Sequence, residues 1–473
     1  MSPFHRLVCT VLTVLALPVA AQDPDPLAPA PPVAALRGAP QPGRRPVGAP
    51  FPTRVVFTNI VGQPTADVPG LPGAHFQPGT GSTHFDRVFG SKEGQWILSA
   101  LTDRPTTQDE IILVNETFKI AEGDVAPWAP AETVGLIDTR LFINDAGEWV
   151  FATNSSATVA DEYVVKVVGT TYTAAAREGD PVPGITGATW GATLETPVIA
   201  STGTVGFSSD TLLGVPTTED EVLVLGPTIL GREGITVPTG QLGAEFWENF
   251  DLDDYWISAD GAHWLAQGDL TGATATDGVV VVDGGVVVQE GVVLPGSGFP
   301  EPVDLTGIVG VHMDAAGNWL VRGNNDLTEQ DWVYRNGAVV AQRGGPIHAG
   351  ATELWSDTEF ADCFFLNVGN SRGDFVIGGV SDGPTATNGL LVLNATRVIV
   401  REGDPVDLNG NGLPDDDAFF NTFGNDDAHL TRTGLLYIVA TMRNGAGTVL
   451  GQGVFEIDVS EYVPVELSGF TIN

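Results

Sequence analysis

A polar turn built around a glycine, followed at once by an aromatic or aliphatic strand, recurs seven times along this chain, and no other feature limits its fold so tightly. The copies are Lys92-Glu93-Gly94-Gln95-Trp96, Asn144-Asp145-Ala146-Gly147-Glu148-Trp149, Ser201-Thr202-Gly203-Thr204-Val205, Asp260-Gly261-Ala262-His263-Trp264, Asp314-Ala315-Ala316-Gly317-Asn318-Trp319, Ser371-Arg372-Gly373-Asp374-Phe375 and Arg432-Thr433-Gly434-Leu435-Leu436. Their glycines span 340 residues in six intervals, a period of about 57. A second marker alternates with the first: Glu122-Gly123, Glu178-Gly179, Glu233-Gly234, Glu290-Gly291 and Glu402-Gly403, with Arg343-Gly344 as a degenerate copy. From Gly123 to Gly403 the period is 56. Two independent markers give one repeat.

Each glutamate-glycine pair closes an apolar hairpin, as in Gly278 to Val288 around the tight-turn dipeptide Asp283-Gly284. Each glycine turn makes a second hairpin, with Leu141-Phe142-Ile143 before it and Trp149-Val150-Phe151 after it. Two hairpins per repeat give four strands, the content of one propeller blade. The chain is therefore expected to be all-β, a seven-bladed β-propeller of four-stranded blades. The last repeat has a glycine turn but no glutamate-glycine hairpin, so it lacks a strand. The segment Arg54 to Val61 precedes the first repeat and is expected to supply it, closing the ring and removing two open sheet edges. An open β-solenoid is the alternative, although its coils are usually shorter and need caps. Trp96, Trp149, Trp264 and Trp319 share one repeat position and are expected to pack between strands.

Composition agrees with strands and turns, with Gly 59 and Pro 33. Residues 1–21 read as a secretory signal peptide: Arg6, an apolar run from Leu7 to Ala16, and Pro18-Val19-Ala20-Ala21 before Gln22. Residues 22–52 are dominated by Pro, Ala and Gly and read as a disordered linker. The propeller is assigned to 53–461 and a short tail to 462–473. The chain is expected to be secreted or held at the cell surface, with the periplasm as a further compartment. After removal of Cys9 with the signal peptide, Cys363 stands alone, which leaves no intramolecular disulfide; between Asp362 and Phe364 it reads as a buried strand residue. The formal charge of −38 argues against nucleic acid and anionic membranes as partners and is compatible with a divalent cation, a basic partner or plain solubility. No apolar run reaches membrane-spanning length, and a monomer is expected.

One loop carries metal-type spacing. In Asp407-Leu408-Asn409-Gly410-Asn411-Gly412-Leu413-Pro414-Asp415-Asp416-Asp417, oxygen donors alternate at Asp407, Asn409 and Asn411, glycine stands sixth, Leu413 offers a carbonyl and Asp415 stands ninth. That matches the first half of a calcium loop, since Ca²⁺ takes six to eight oxygens and alternating side chains let a short turn wrap one ion. The twelfth position is Ala418 rather than glutamate, so Asp417 or Asp416 must complete the set, and the expected role is structural. Asp251, Asp253 and Asp254 beside Tyr255 and Trp256 form an acidic-aromatic cluster that reads as a solvated loop or a carbohydrate face. The histidines at 75, 84, 263, 312, 348 and 429 lack metal-ligand spacing, no catalytic residue can be assigned, and no nucleophile elbow occurs.

Two of the glycine turns, Ser258-Ala259-Asp260-Gly261-Ala262-His263-Trp264 and Asp145-Ala146-Gly147-Glu148-Trp149, resemble the Asp-box of sialidase-type propellers, each one position short; that box is itself a structural turn. The unit Arg177-Glu178-Gly179-Asp180-Pro181-Val182-Pro183-Gly184 resembles the repeats of secreted propeller-like proteins of environmental bacteria, a family without an established activity, and the likeness extends over about residues 54 to 460. Val463-Pro464-Val465-Glu466-Leu467 resembles a segment found near the C-terminus of bacterial surface proteins. The resemblance implies fold and compartment and no catalytic residue. The sequence thus leads to a non-catalytic propeller that recognises a glycan or protein through its blade loops. The competing expectations are a polysaccharide-active hydrolase with two carboxylates in the central funnel, and a purely structural envelope protein.

Overall fold

Each glycine turn holds its glycine at φ between +70° and +91°, the left-handed region that side chains with a Cβ enter only under strain. The strands on either side pair directly: Ile143 faces Trp149, Ile257 faces Trp264 and Met313 faces Trp319. In the computed structural model of the chain, which describes residues 51–81, 84–325, 330–356 and 362–463 and only the backbone at 251–253, these hairpins are the inner pairs of seven four-stranded antiparallel sheets arranged as a seven-bladed β-propeller. The signal peptide (1–21), nearly all of the linker and the tail beyond Val463 lie outside the described residues.

The innermost strands, one per blade, are Phe89–Gly90, Val134–Ile143, Glu195–Ile199, Trp247–Ile257, Val303–Met313, Phe364–Gly369 and Phe419–Leu430. The outer hairpins behave alike. In each of the six the register slips at the second or third residue pair, for example between Ile112 and Leu113 or Val280 and Val281, a bulge that adds twist where the blade splays outward. The seventh blade has the order expected from the missing hairpin: Phe419–Leu430, Leu435–Arg443, Val449–Asp458 and, outermost, Thr53–Thr58 from the start of the fold. Val55 faces Phe455 and Thr53 faces Ile457 across that closure.

Alternating strand residues fill the seams between blades. Leu320 and Val333 of the fifth blade, for instance, share a buried cluster with Phe364 and Ile377 of the sixth. Trp96 packs against Phe57 and Tyr437, with ring centroids 5.9 and 5.4 Å apart, so it seals the closing blade against the first. Trp149 lies 5.3 Å from Phe151 and Trp319 5.5 Å from Tyr334, the packing roles expected of that repeat position. Cys363 is buried, its thiol directed at the Val380 carbonyl, and burial pushes its pKa up to about 12. An inert core residue results.

Candidate functional site

The repeated markers turn out to be fasteners. The glutamates of the second marker accept main-chain N–H groups where the third strand begins: Glu178 from Asp161 (3.1 Å), Glu233 from Asp220 (3.0 Å) and Glu402 from Gly389 (3.1 Å). The arginines before them donate to carbonyls across the same hairpin, Arg177 to Ala160 and Arg232 to Glu219, both at 2.9 Å. A third set recurs only in every second repeat: Glu110, Glu221 and Asp331 reach across to the next blade and accept from Ile137 (3.0 Å), Phe250 (3.0 Å) and Cys363 (2.7 Å).

Chemistry gathers instead on the axis. The position five residues before each turn glycine reads Phe89, Phe142, Val198, Trp256, His312, Val368 and His429 around the ring. At the end bounded by the glycine turns, five of these residues, all but Val198 and Val368, line an axial cavity of about 50 Å³ together with neighbours such as Ile199 and Gly369. Trp256 is its hub, with His312 at 4.6 Å, Phe89 at 6.0 Å and Phe142 at 6.1 Å between ring centroids. Two guanidiniums also sit on Trp256, Arg87 at 4.9 Å and Arg140 at 4.8 Å from its ring centre. Cation–π contact of this kind holds desolvated arginines, and Arg140 further donates to the Tyr255 carbonyl at 3.1 Å. Arg87 and Arg140 both stand seven residues before their turn glycine, and Asp427 holds the corresponding place in the last blade.

Asp426, with φ +57°, pairs with Arg322, which also donates to Asn367 at 3.1 Å. Burial pushes the Asp426 carboxyl upward, but the Arg322 and Arg87 guanidiniums outweigh it and hold it below the ordinary range. Its neighbour Asp427 is pushed up to about 7 by burial, against the pull of Arg87. Two adjacent carboxyls with affinities forced apart are the arrangement from which acid and base roles are drawn. His312 and His429 go the other way: burial drives them down to about 3 and about 4, so both are neutral imidazoles. The axis thus carries an aromatic end with two neutral imidazoles and an end where Arg322, Asp426 and Asp427 gather.

The expected calcium loop, 407–417, joins the sixth blade to the seventh. Asp407 accepts the N–H groups of Asn411 (3.1 Å) and Gly412 (2.7 Å), Asn409 that of Asn411 (3.0 Å), and Asn411 that of Leu413 (2.8 Å). Asp407, Asn409 and Asn411 therefore share one tight turn, a donor set that fits an oxygen-seeking cation in kind. Asp416 is engaged by Leu408 and Asn409, and Asp417 by the Gly445 N–H (2.7 Å), which draws Asp417 toward the next loop. Asp415 and Leu413 lie in the same loop, where Leu413 is exposed. Among the described residues no group of three or more His, Cys, Asp or Glu is poised around a metal. Of the acidic-aromatic cluster, Tyr255 is fully buried and donates to the Val224 carbonyl at 3.1 Å, and Trp256 forms the axial cavity. The Asp251 and Asp253 side chains lie outside the described residues.

No protein-family model matches the chain, and no curated protein is similar to it. Solved structures with some likeness include the neuraminidase-like protein of A/flat-faced bat/Peru, 8% identical over 66% of this chain and 84% of that one with a TM-score of 0.29. Prolyl oligopeptidase B from Galerina marginata is 8% identical over 76% and 55%, TM-score 0.30. A protein of unknown function from Dyadobacter fermentans is 10% identical over 82% and 100%, TM-score 0.27. At such scores none of them lends this chain an activity.

Proposed function

We propose that the protein is an exported, non-catalytic recognition propeller that binds a glycan or protein ligand through the long loops of one face. The observation that supports this is the division of labour between the two faces. Hairpin turns of two to six residues make one face, whereas connections of up to 30 residues, the longest from Thr58 to Phe89, collect on the other. The long connections also hold exposed apolar side chains, among them Val125, Val159, Leu213 and Leu242, and Leu136 stands exposed beside them at the start of the strand Val134–Ile143. Apolar groups left in water on variable loops above a rigid ring suit recognition. Export through the leader at 1–21 belongs to the same reading, and N-terminal sequencing of the secreted protein is expected to begin at Gln22. The test of recognition is a glycan array and a pull-down from culture medium, run with the wild type and with a Leu136→Ser, Val159→Ser, Leu242→Ser variant. Capture by the wild type alone is expected; two empty screens would overturn the proposal.

A second reading, hydrolysis of a polysaccharide, is favoured by one observation, the split Asp426 and Asp427 pair at the Arg322 end of the axis. Reducing-end release from a polysaccharide panel, abolished in Asp427→Asn, is the expected signature. An inactive wild type would remove it. We further propose that the 407–417 loop takes calcium in a structural role, since its donors are hard oxygens on one turn.

A further inference from the structure

The axial cavity contains buried polar atoms with no partner. His312, 6% exposed, leaves Nε2 unbonded, and its ring is anchored through a hydrogen bond to the Gly369 main chain. Trp256, 5% exposed, leaves its indole N–H unbonded, and Ser91, 5% exposed, its hydroxyl. All three residues line the same cavity. Buried groups of this kind cost free energy unless something bonds to them. Their placement is also maintained. His429 donates from Nε2 to the Ser91 carbonyl at 3.1 Å and lies flat against Gly90, where a Cβ would come within 2.4 Å of that nitrogen.

The three free atoms have a chemical meaning together. Trp256 can only donate, the unprotonated nitrogen of His312 can only accept, and the Ser91 hydroxyl does either. Around them stand the rings of Phe89, Phe142 and Trp256. The wall carries the Asp145 and Asp314 carboxylates against one ammonium, that of Lys92, which pairs with Asp145, so an anion would meet an excess of negative charge, and a cation would meet Arg87 and Arg140 behind the Trp256 ring. A neutral molecule with hydroxyl groups on one edge and apolar C–H groups on its face meets neither obstacle. The cavity volume, about 50 Å³, is room for a hydroxymethyl group or a few hydroxyls, with the remainder of such a ligand in the open mouth beside Ser201. We infer that the axial cavity on the turn face is a binding site for the hydroxyl-bearing edge of an uncharged sugar, with Trp256 and Ser91 as donors, His312 as acceptor and the aromatic rings as platform. The site lies at the opposite end of the ring from the loops proposed above for recognition and does not depend on what they bind.

The experiment titrates the mature protein with methyl glycosides of neutral pyranoses and with oligosaccharides of the same sugars, by calorimetry and by ¹⁵N spectra of the histidine side chains. Saturable binding that shifts the His312 and His429 resonances is expected, weakened about tenfold in Trp256→Phe, which keeps the ring and loses the N–H, and less in Ser91→Ala. Equal affinity for glycosides and oligosaccharides would identify a free sugar as ligand, and tighter binding of the oligosaccharides a chain end. The Leu136→Ser, Val159→Ser, Leu242→Ser variant should bind these sugars as the wild type does, which separates this site from the loop face. The inference is overturned if no neutral saccharide moves the histidine resonances, if Trp256→Phe and Ser91→Ala, both folded by melting temperature, bind unchanged, or if only Zn²⁺ or Ni²⁺ does so.

Discussion

On the turn face the chain reverses within two to six residues, and on the loop face it runs for as many as 30 before the next strand. The short turns are also joined to one another all the way round. Lys92 pairs with Asp145 (3.1 Å), Asn144 donates to Ala200 (2.9 Å), Ser201 to Ala259 (2.6 Å), Ala259 to Ala315 (2.9 Å), Arg335 to Gly373 (2.8 Å), Asn370 to Thr431 (3.1 Å) and Arg432 to Lys92 (3.1 Å). Every blade is linked to the next. The belt explains why the glycine turn is the most regular element of the sequence: one residue change disturbs its own hairpin and its neighbour's. On the loop face Glu110, Glu221 and Asp331 link every second blade to the next, and the connections differ in length and content. Rigidity has been concentrated at one end of the axis, and sequence freedom at the other.

The sharpest way to break this contrast is to cut the belt. Asn370 is 3% exposed; its side-chain oxygen accepts the N–H groups of Arg372 and Asp374, both at 3.0 Å, while its amide donates to Thr431 in the next blade. Asn370→Ala strands three buried groups, and a loss of about 3 kcal/mol is expected in chemical denaturation. A loss below about 0.5 kcal/mol, the size of a neutral surface change, would mean that the turns are merely decorative.

The second test uses protons. Burial raises Glu110 to about 8 and Glu162, Glu221 and Glu290 to about 7, all near the start of a third strand or its glutamate-glycine partner on the loop side. A carboxyl whose folded pKa is raised contributes stability below its unfolded value, and that contribution is lost as pH climbs through the folded value. His312 and His429 have folded values depressed below 6.5, so their contribution is present above that value and is lost as pH falls toward 3 to 4. The raised carboxyls outnumber the histidines, and the melting temperature is expected to peak near about pH 5 and to fall toward pH 8. Glu110→Gln should flatten the fall between pH 6 and 8, since each tenfold change in proton affinity is worth about 1.4 kcal/mol. A melting temperature that rises from pH 5 to 8 would refute this assignment.

What could be read in the sequence follows the same division. Gly94, Gly147, Gly203, Gly261, Gly317, Gly373 and Gly434 announce the repeat because positive φ tolerates little else, and the period, the blade count and the closing role of the strand at Arg54 all follow from them. Glu178, Glu233 and Glu402 are visible as a repeat, and each accepts a main-chain N–H at the start of a third strand. The axial residues were hidden by the same habit of reading. Phe89, Trp256, His312 and His429 occupy one repeat position and differ in type, as do Arg87, Arg140 and Asp427 two residues earlier, so a search for what recurs passes over them. Alignment on the turn glycines, with attention to the positions that vary, is the signal that would have found them. The Glu110, Glu221 and Asp331 contacts to the next blade were harder, because an acid stands at that position, thirteen residues before Gly123, Gly234 and Gly344, in only every second repeat; the others carry Lys166, Gly278 and Leu390.

The remaining comparison is between two regions of the loop face itself. If the 407–417 loop holds calcium, its order should depend on the ion, whereas the loops bearing Val159 and Leu242 and the strand end bearing Leu136 should not respond. Binding to the folded state alone stabilises by about 2.7 kcal/mol at a ligand concentration one hundred times Kd, so millimolar calcium is expected to raise the melting temperature and chelator to lower it. Asp407→Asn removes the charge that faces Asn411 and Gly412 and should abolish the shift while leaving the chelated protein's melting point in place. The triple serine variant should show the smallest effect of all on stability, within about 0.5 kcal/mol of wild type with or without calcium. Because those side chains are already in water, their replacement costs the fold nothing, and any ligand lost with them must have been held by the surface they expose. A calcium shift that survives in Asp407→Asn would place the ion elsewhere among the 59 acidic residues.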